Sequence, residues 1–482
     1  MQMALSQAFF AIGESRPNPA VGAVVVKDGI VVGKGRTQRP GRAHAEVMAL
    51  RDAGELARGA AIYVTLEPCC HYGRTPPCTK AIIDAGIKQV YFAHSDPNPV
   101  VRGNSRRILE EAGIEVFEGV DACIKAEVPE SWDDYGGECH CLCANDGHNE
   151  PVASPWSVAT GPTSFPDPSC HVIPDLVGDL VSSQKAEGHY VFQDVERYFE
   201  AYDYFVRNKR TFVEIKCAVS QEGFMGAVCK DGSHVPLKIT GEGANCWNHE
   251  LRAMSDAVLV GAGTLLADNP GLDVRYAQGN NPVKTVWAGH HEFSAKEIER
   301  LTVFASCHPE QAKLKPSCHP EQAKLKPSCH PEQAKRVEGS GIPSYDVLVF
   351  SSVPQPALKT SQNVDVVLLS ASSFAENWRQ MLDNLSARGM HRLMVEPGAG
   401  LAHQLFATDA SSAEASGQCP LWNRLDMWQS TDSSVERSLE NQVALGSVSC
   451  GLEFPGLPEN VVAKESAMVG PDVLTVYYPN AL

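Results

Sequence analysis

The chain has no excess of positive charge. It holds 41 Lys and Arg against 58 Asp and Glu, a formal net charge of −17. Affinity for a nucleic-acid backbone rests on neutralising phosphates, so duplex binding is not expected, although a local basic pocket for one phosphate remains open. The first residues, Met1 to Ile12, contain no basic segment and no long apolar run, so no secretory leader is expected there. No stretch reaches the roughly 18 uninterrupted apolar residues of a spanning helix. The expectation is a cytoplasmic protein with no membrane partner. No Gly-x-Gly-x-x-Gly follows a strand pattern, which argues against a standard dinucleotide fold.

What is present is an ordinary globular balance, 43% hydrophobic and 21% charged over 482 residues. At about 150 residues per domain this suits two or three domains. Sixteen cysteines are many. Without a leader they read as thiols or metal ligands, not as a disulfide framework.

Residues 1–127 alternate strands with helices. Ala23–Val26 and Ile30–Val32 flank Asp28-Gly29, a tight-hairpin signal because glycine accepts a positive φ. A helix is expected from Ala45 to Ala57, then a strand at Ala61–Leu66, a helix at Thr79–Ala85 and a strand at Val90–Ala93. A helix at Ser105–Ala112 and a strand at Glu115–Glu118 complete the pattern. Such alternation predicts an α/β domain entered through an antiparallel hairpin. Residues 128–197 lose apolar periodicity and read as an irregular insert or linker. A second α/β domain is expected over 198–482, with strands at 211–219, 257–260, 283–288, 346–350, 365–369 and 392–396. A tandem repeat interrupts it at 306–341. Ser-Cys-His-Pro-Glu-Gln-Ala-Lys-Leu-Lys-Pro starts at Ser306 and Ser317, and a shorter copy starts at Ser328. Two prolines per full unit exclude a continuous helix. Adjacent Cys-His pairs are poor chelators of one ion, so the repeat reads as a solvated insert.

The sharpest chemical signal is His44-Ala-Glu46 with Pro68-Cys69 and Cys78. One His and two Cys fill three corners of a tetrahedral zinc site and leave the fourth for water, as in catalytic sites. A carboxylate close by but off the metal can shuttle protons, and Glu46 suits that role. This is the zinc deaminase signature, although eight residues separate Cys69 from Cys78 where the general pattern has two. Taken singly, these residues mean little, since a lone Cys is usually a small buried hydrophobe. Cys70 competes with Cys69, and the proline directly before Cys69 favours Cys69. In the second half, Gly261-Ala-Gly-Thr264 and Glu396-Pro-Gly-Ala-Gly400 each follow a strand and can bring backbone amides to a phosphate. Taken alone, each also fits a plain turn.

Together, Arg16-Pro-Asn-Pro-Ala-Val-Gly22, His44-Ala-Glu46, the run from Thr65 through Gly73-Arg-Thr-Pro-Pro-Cys78, and Asp96-Pro-Asn-Pro99 resemble the bifunctional riboflavin-biosynthesis deaminase/reductase family. Lys216–Ser220, Ile239–Gly241, Arg252–Thr264, Ala267–Pro270 and Leu272–Arg275 resemble its reductase half. The resemblance implies a cytidine-deaminase-like N-terminal α/β/α domain and a dihydrofolate-reductase-like C-terminal α/β domain, with Zn2+ and NADPH as cofactors. It implies hydrolytic deamination of 2,5-diamino-6-ribosylamino-4(3H)-pyrimidinone 5′-phosphate, then reduction of the ribosyl group to ribityl. It places zinc on His44, Cys69 and Cys78, with Glu46 as the catalytic acid/base. It places Asn18, His71, Arg74 and Thr75 around the pyrimidine. Ala218, Thr264, Asp268 and Gly398, Ala399, Gly400 and Leu401 would contact NADPH. Arg252, Leu272, Arg275 and Glu396 would face the second substrate, and a homodimer is expected. The reductase half departs from the family pattern at Ser220-Gln-Glu-Gly223, Lys238 and Ala288-Gly289, and the family's strand ending in Ala-Pro, with a downstream Leu-Leu-Gly, is hard to find after Leu425. Two other readings stand beside this one: a deaminase with a degraded reductase as scaffold, and a non-enzymatic zinc-stabilised interaction protein.

Overall fold

The computed structural model describes residues 1–119, 188–305, 346–407 and 421–479, apart from short gaps at 231–233, 236, 278, 360–362, 445–447, 459–460 and 470–471. Of the irregular insert expected over 128–197, residues 128–187 lie outside the described residues, as does the repeat at 306–341, whereas 188–197 are helical and not irregular. Among the described residues no helix is long and apolar enough to cross a membrane.

The first sheet has five strands: β1 (Gly22–Lys27), β2 (Ile30–Arg36), β3 (Ala61–Leu66), β4 (Gln89–His94) and β5 (Glu115–Glu118), in the order β2-β1-β3-β4-β5. The hairpin and the β1–β3 pair are antiparallel, and β3, β4 and β5 run parallel. Asp28 and Gly29 both take positive φ, as the two-residue hairpin requires. Four helices cover this sheet: α1 (Gln2–Phe9), α2 (Ala45–Ala53), α3 (Cys78–Asp84) and α4 (Asn104–Glu111). The core forms from the inward faces of these elements, including Val25, Ala49, Ile62, Ile82 and Leu109.

A long helix, α5 (Gly188–Asn208), belongs to both halves of the molecule. Its Val195 and Phe199 sit in the first core. On the other side, Arg197 reaches Asp426 at 2.8 Å and Glu214 at 3.2 Å. Arg392 and Arg424 complete this buried cluster, in which Glu214 also pairs with Arg392 and Asp426 pairs with Arg424. Unpaired charges would be costly at such burial; here each acid has an arginine.

The second sheet has nine strands. They are β6 (Phe212–Val219), β9 (Ala257–Gly261), β10 (Val283–Gly289), β11 (Val347–Ser351), β12 (Val364–Leu368), β13 (Arg392–Val395), β14 (Arg424–Ser430), β16 (Val461–Val469) and β17 (Asp472–Pro479). Their order is β12-β11-β10-β9-β13-β6-β14-β17-β16. The first seven in that order are parallel, and β17 and β16 close the edge antiparallel. Alternation along each strand feeds two cores. Leu259, Leu393 and Val395 enter one, and Val258, Val260 and Met394 enter the other. Helices α6 (Glu242–Met254), α7 (Ala262–Asp268), α8 (Ala295–Arg300), α9 (Phe374–Ala387), α10 (Ala399–Ala407) and α11 (Ser434–Ala444) belong to this half. A small antiparallel sheet joins β15 (Val448–Glu453), β7 (Phe224–Cys229) and β8 (His234–Val235). The strand that is hard to find from the sequence after Leu425 is β14, in the interior of the sheet between β6 and β17. The polar Asp426 inside it breaks the apolar run, and the structure satisfies that acid with arginines.

Helix α2 lies so close on β2 that a Cβ on Gly35 would stand 2.3 Å from both Ala45 O and Ala49 N. Since α2 opens beside His44 and carries Glu46, Gly35→Ala is expected to push it outward and cost about 1–3 kcal/mol, as overpacking does. Urea unfolding checks this, and wild-type stability in the variant would contradict it.

Candidate functional site

His44 is the residue that caps α2 at its N-terminus, Cys69 lies three residues beyond β3, and Cys78 is the first residue of α3. Two helix starts and a strand end therefore meet at one edge of the first sheet. His44 Nδ1 stands 3.5 Å from Cys69 Sγ and 3.4 Å from Cys78 Sγ. Donor atoms of all three residues lie within 4.8 Å of one another. Ordinary Zn–N and Zn–S lengths in a tetrahedral site put N and S about 3.6 Å apart, so the donor set fits zinc in both chemistry and spacing. Cys70 turns away, its thiol directed at Val100 O at 3.6 Å. Thr75 Oγ1 lies 3.4 Å from His44 Nε2, where it can fix the ring's orientation, a role usual for the partner of a ligand histidine.

Glu46 is 4% exposed. Burial pushes its carboxyl up to about 7, and the Cys69 charge adds to the rise. A group poised there can take and return a proton near neutral pH. Beside His44 opens a cavity of about 470 Å³ lined by Val47, Thr75, Pro77 and Ala81, with Arg42, Arg51 and Lys80 also on its walls. That volume is in the range of small-ligand sites. His71 and Arg74 are exposed on the β3–α3 loop. Asn18 lines a different and smaller cleft, with Tyr202, Asp256 and His391.

Asp96 was quoted above only within a motif, yet the structure draws attention to it. It is 7% exposed, and burial lifts its carboxyl to about 6. Its Oδ1 accepts the Asn98 N–H at 2.8 Å, which shapes the Asp-Pro-Asn-Pro turn.

In the second sheet, the chain leaves β9 toward β10 and leaves β13 toward β14, in opposite directions, although β9 and β13 are neighbours. Ligand crevices of open parallel sheets form at the carboxyl ends of such strands. Both glycine-rich turns lie there. Gly261 ends β9, with Ala262 and Thr264 opening α7, and Gly398 precedes Ala399 at the start of α10. A Cβ on Gly398 would come within 2.4 Å of Thr264 Oγ1, so the two turns are in contact. This close backbone surface at a strand-end crevice fits a phosphate-bearing cofactor. Gly400 is exposed, Leu401 packs into the core at 7% exposure, and Asp268 is exposed at the end of α7. Ala218 is half-buried on β6, paired with Trp428.

Arg252 is 5% exposed and grips Glu396 with two bonds of 2.6 and 2.8 Å, while its third nitrogen donates to Asp273 O at 3.1 Å. Its charge is thus spent on Glu396 and on the loop that follows. Leu272 is fully buried in the core at a positive φ of 54°. Arg275 is exposed, and its backbone N–H donates to His249 Nδ1 at 3.0 Å. Burial raises the cost of charge on Glu396, but Arg252 and Lys216 hold its carboxyl below the usual range. Lys216 is the residue the sequence reading passes over. It sits on β6 one position beyond Ile215, which pairs with Val395, and so stands beside Glu396. Burial lowers its ammonium pKa, with Glu396 opposing. Its motif was visible; a mid-strand lysine facing inward is the signal that marks it.

Metal uptake gives a first prediction. Without metal, the hydrogen bond to Cys69 raises His44 to about 9, and the Cys78 thiol is raised by its bond to Cys69, while Cys69 is lowered. At pH 7 His44 and Cys78 then carry protons that a metal must displace. Zinc binding at pH 7 should release about two protons, and affinity should rise with pH toward 9. Calorimetry in buffers of differing ionisation heat measures this, and uptake without proton release would contradict it.

Known proteins agree with this geometry. Residues 1–94 match the cytidine and deoxycytidylate deaminase zinc-binding region, and residues 211–318 match the RibD C-terminal domain. The riboflavin biosynthesis protein RibD of Aquifex aeolicus is 58% identical over 120 residues, 25% of this chain and 34% of that protein. RibD of Bacillus amyloliquefaciens is 33% identical over 287 residues, 59% of this chain and 57% of that protein. The chain thus spans between about a third and three fifths of the length of these curated relatives. Two solved structures share the fold. The deaminase/reductase of Thermotoga maritima has 24% identity and a TM-score of 0.56, covering 99% of this chain and 97% of that one. RibD of Acinetobacter baumannii has 22% identity and a TM-score of 0.54, covering 100% and 98%. The chain thus carries a match to a zinc-binding deaminase region followed by a match to the RibD C-terminal domain, and over these parts it is similar to the riboflavin-biosynthesis deaminase/reductases.

Proposed function

We propose that the chain deaminates 2,5-diamino-6-ribosylamino-4(3H)-pyrimidinone 5′-phosphate hydrolytically and then reduces its ribosyl group to ribityl with NADPH. The observation that carries this reading is the convergence of His44, Cys69 and Cys78 with the buried Glu46 beside them. A structural zinc site needs four protein ligands and no spare acid, whereas this arrangement offers three and a poised carboxyl.

Zinc, when bound by His44, Cys69 and Cys78, lowers the pKa of water and so supplies a nucleophile near neutral pH. Glu46 takes a proton from the attacking water and passes it to the departing amine, which leaves as ammonia. Its pKa of about 7 suits both halves of that transfer. Thr75 holds the His44 ring from behind. Arg42 and Arg51 give the adjoining cavity the positive charge that a phosphate ester seeks, while Lys80 is paired with Asp84 on the same wall. His71 and Arg74, on the exposed loop, are assigned to the substrate on the resemblance.

In the second half, the cofactor supplies hydride to the sugar carbonyl; the protein's part is position and charge. The Gly261–Thr264 and Gly398–Gly400 turns would cradle its phosphates. Lys216, with a lowered pKa beside Glu396, is placed to give a proton to the oxygen that becomes a hydroxyl. Arg275, exposed at the end of its loop, faces the phosphate in this reading. Arg252 and Leu272 hold the frame: Arg252 fixes Glu396, and Leu272 anchors the loop in the core. A homodimer, on the resemblance, and a cytoplasmic location and a domain division at 127 and 197, on the reading of the sequence, complete the proposal.

Product mass spectrometry tests it. Zinc-loaded protein is incubated with the pyrimidinone phosphate, with and without NADPH. Exchange of an amino group for oxygen is expected in both tubes, and two added hydrogens only with NADPH. Deaminated product without added hydrogens would leave the second half a scaffold, and unchanged substrate in both would overturn the enzymatic reading.

A further inference from the structure

The loop between α1 and β1 carries Asn18, and the second half of the molecule holds it. Asn18 belongs to the first domain by sequence, but the cleft it lines is shared with Asp256 and His391. His391 Nε2 donates to Pro17 O at 3.1 Å, one residue from Asn18. Asp256 faces Arg16, carboxylate to guanidinium, at 3.6 Å. Upstream, Asn280 Nδ2 donates to Phe10 O at 3.2 Å and to Ile12 O at 3.0 Å. Gly389 is buried with a φ of 71°, and a Cβ there would stand 2.6 Å from Pro17 Cβ. The two backbones therefore touch at a point where only glycine fits.

The holding group is itself rigid. Asp256 Oδ2 accepts the backbone N–H of His391 at 2.8 Å. Phe205 and Tyr202 pack against the imidazole at 4.5 and 5.4 Å between ring centres. Burial lowers the ring's pKa, and the Pro17 carbonyl, which can only accept, fixes the remaining proton on Nε2. Asp256 and His391 each precede a strand, β9 and β13, whereas the glycine turns assigned to the nucleotide follow those same strands. The grip on the Asn18 loop is at the opposite end of these strands from the reductase crevice.

We infer that the reductase domain completes the deaminase: His391, Asn280 and Gly389 are positioning residues for deamination, fixing the loop that presents Asn18 to the pyrimidine. The inference rests on the pyrimidine contact that the resemblance implies for Asn18. A loop held by hydrogen bonds at both ends loses little entropy when substrate binds, and release of the grip appears as weaker binding. One chain for two reactions then has a mechanical reason, because the first active site borrows its rigidity from the second domain.

The test uses the full chain with zinc and NADPH. His391→Ala and Asn280→Ala should each raise the deamination KM by about tenfold, the effect of one lost positioning hydrogen bond, with kcat changed far less. His391→Gln, which keeps a donor, should recover most of the loss. Reductase kcat and KM in His391→Ala should stay at wild-type values. Hydrogen exchange over residues 13–20 should quicken in both alanine variants. Asn280 is half-buried, so its variant keeps the test open if His391→Ala folds poorly. Faster exchange with an unchanged deamination KM would overturn the inference, as would unchanged exchange. Asn18→Ala separates the two failures. If its KM is also unchanged, the role given to Asn18 is wrong; if its KM rises while those of His391→Ala and Asn280→Ala do not, the grip itself is refuted.

Discussion

Three donor atoms, His44 Nδ1 and the sulfurs of Cys69 and Cys78, must meet within a few ångströms, and the first domain is built around that requirement. They come from three separate points in the chain, and no local turn could bring them together. The parallel pair β3–β4 sets the edge, α2 and α3 start there, and the glycine on β2 lets α2 lie close enough for His44 to face the thiols. Glu46 follows without further design, since it lies in the first turn of α2, where burial sets its pKa.

The second domain solves a different problem by similar means. Two parallel neighbours, β9 and β13, send the chain in opposite directions and leave a crevice at their ends. Small residues line its floor. Arg252 and Glu396 fix one another across it, so that a buried acid keeps its charge and Lys216 has a partner. Between the domains, α5 puts apolar residues into the first core and an arginine into the buried charge cluster of the second. The contacts from His391 and Asn280 to the α1–β1 segment add to that connection.

Much of this was legible in the sequence. The Asp28-Gly29 hairpin, the strands from Ala61 to Glu118 and those from 211 to 396 are local patterns of apolar alternation, and each is present as read. The zinc triad was legible because its residue types are rare and their order is specific. What escaped depends on distant partners. Strand β14 carries Arg424 and Asp426 in its interior, and only the cluster with Arg197 and Glu214 makes these tolerable. Arg252 reads through the resemblance as a group facing the substrate, but in space its guanidinium is held by Glu396. Leu272 reads as a contact to substrate and is a core residue. Asn18 gave no sign in the sequence that His391, far along the chain, would hold its neighbour.

The central claim is a three-ligand zinc centre with an open position beside Glu46. X-ray absorption at the zinc edge, on protein loaded with one zinc per chain, tests it most directly. A centre of this kind gives two sulfur neighbours at about 2.3 Å with one nitrogen and one further light atom at about 2.0–2.1 Å. Cys78→Ser should lose one sulfur. Three or four sulfurs at the metal, or a spectrum unchanged in Cys78→Ser, would contradict it.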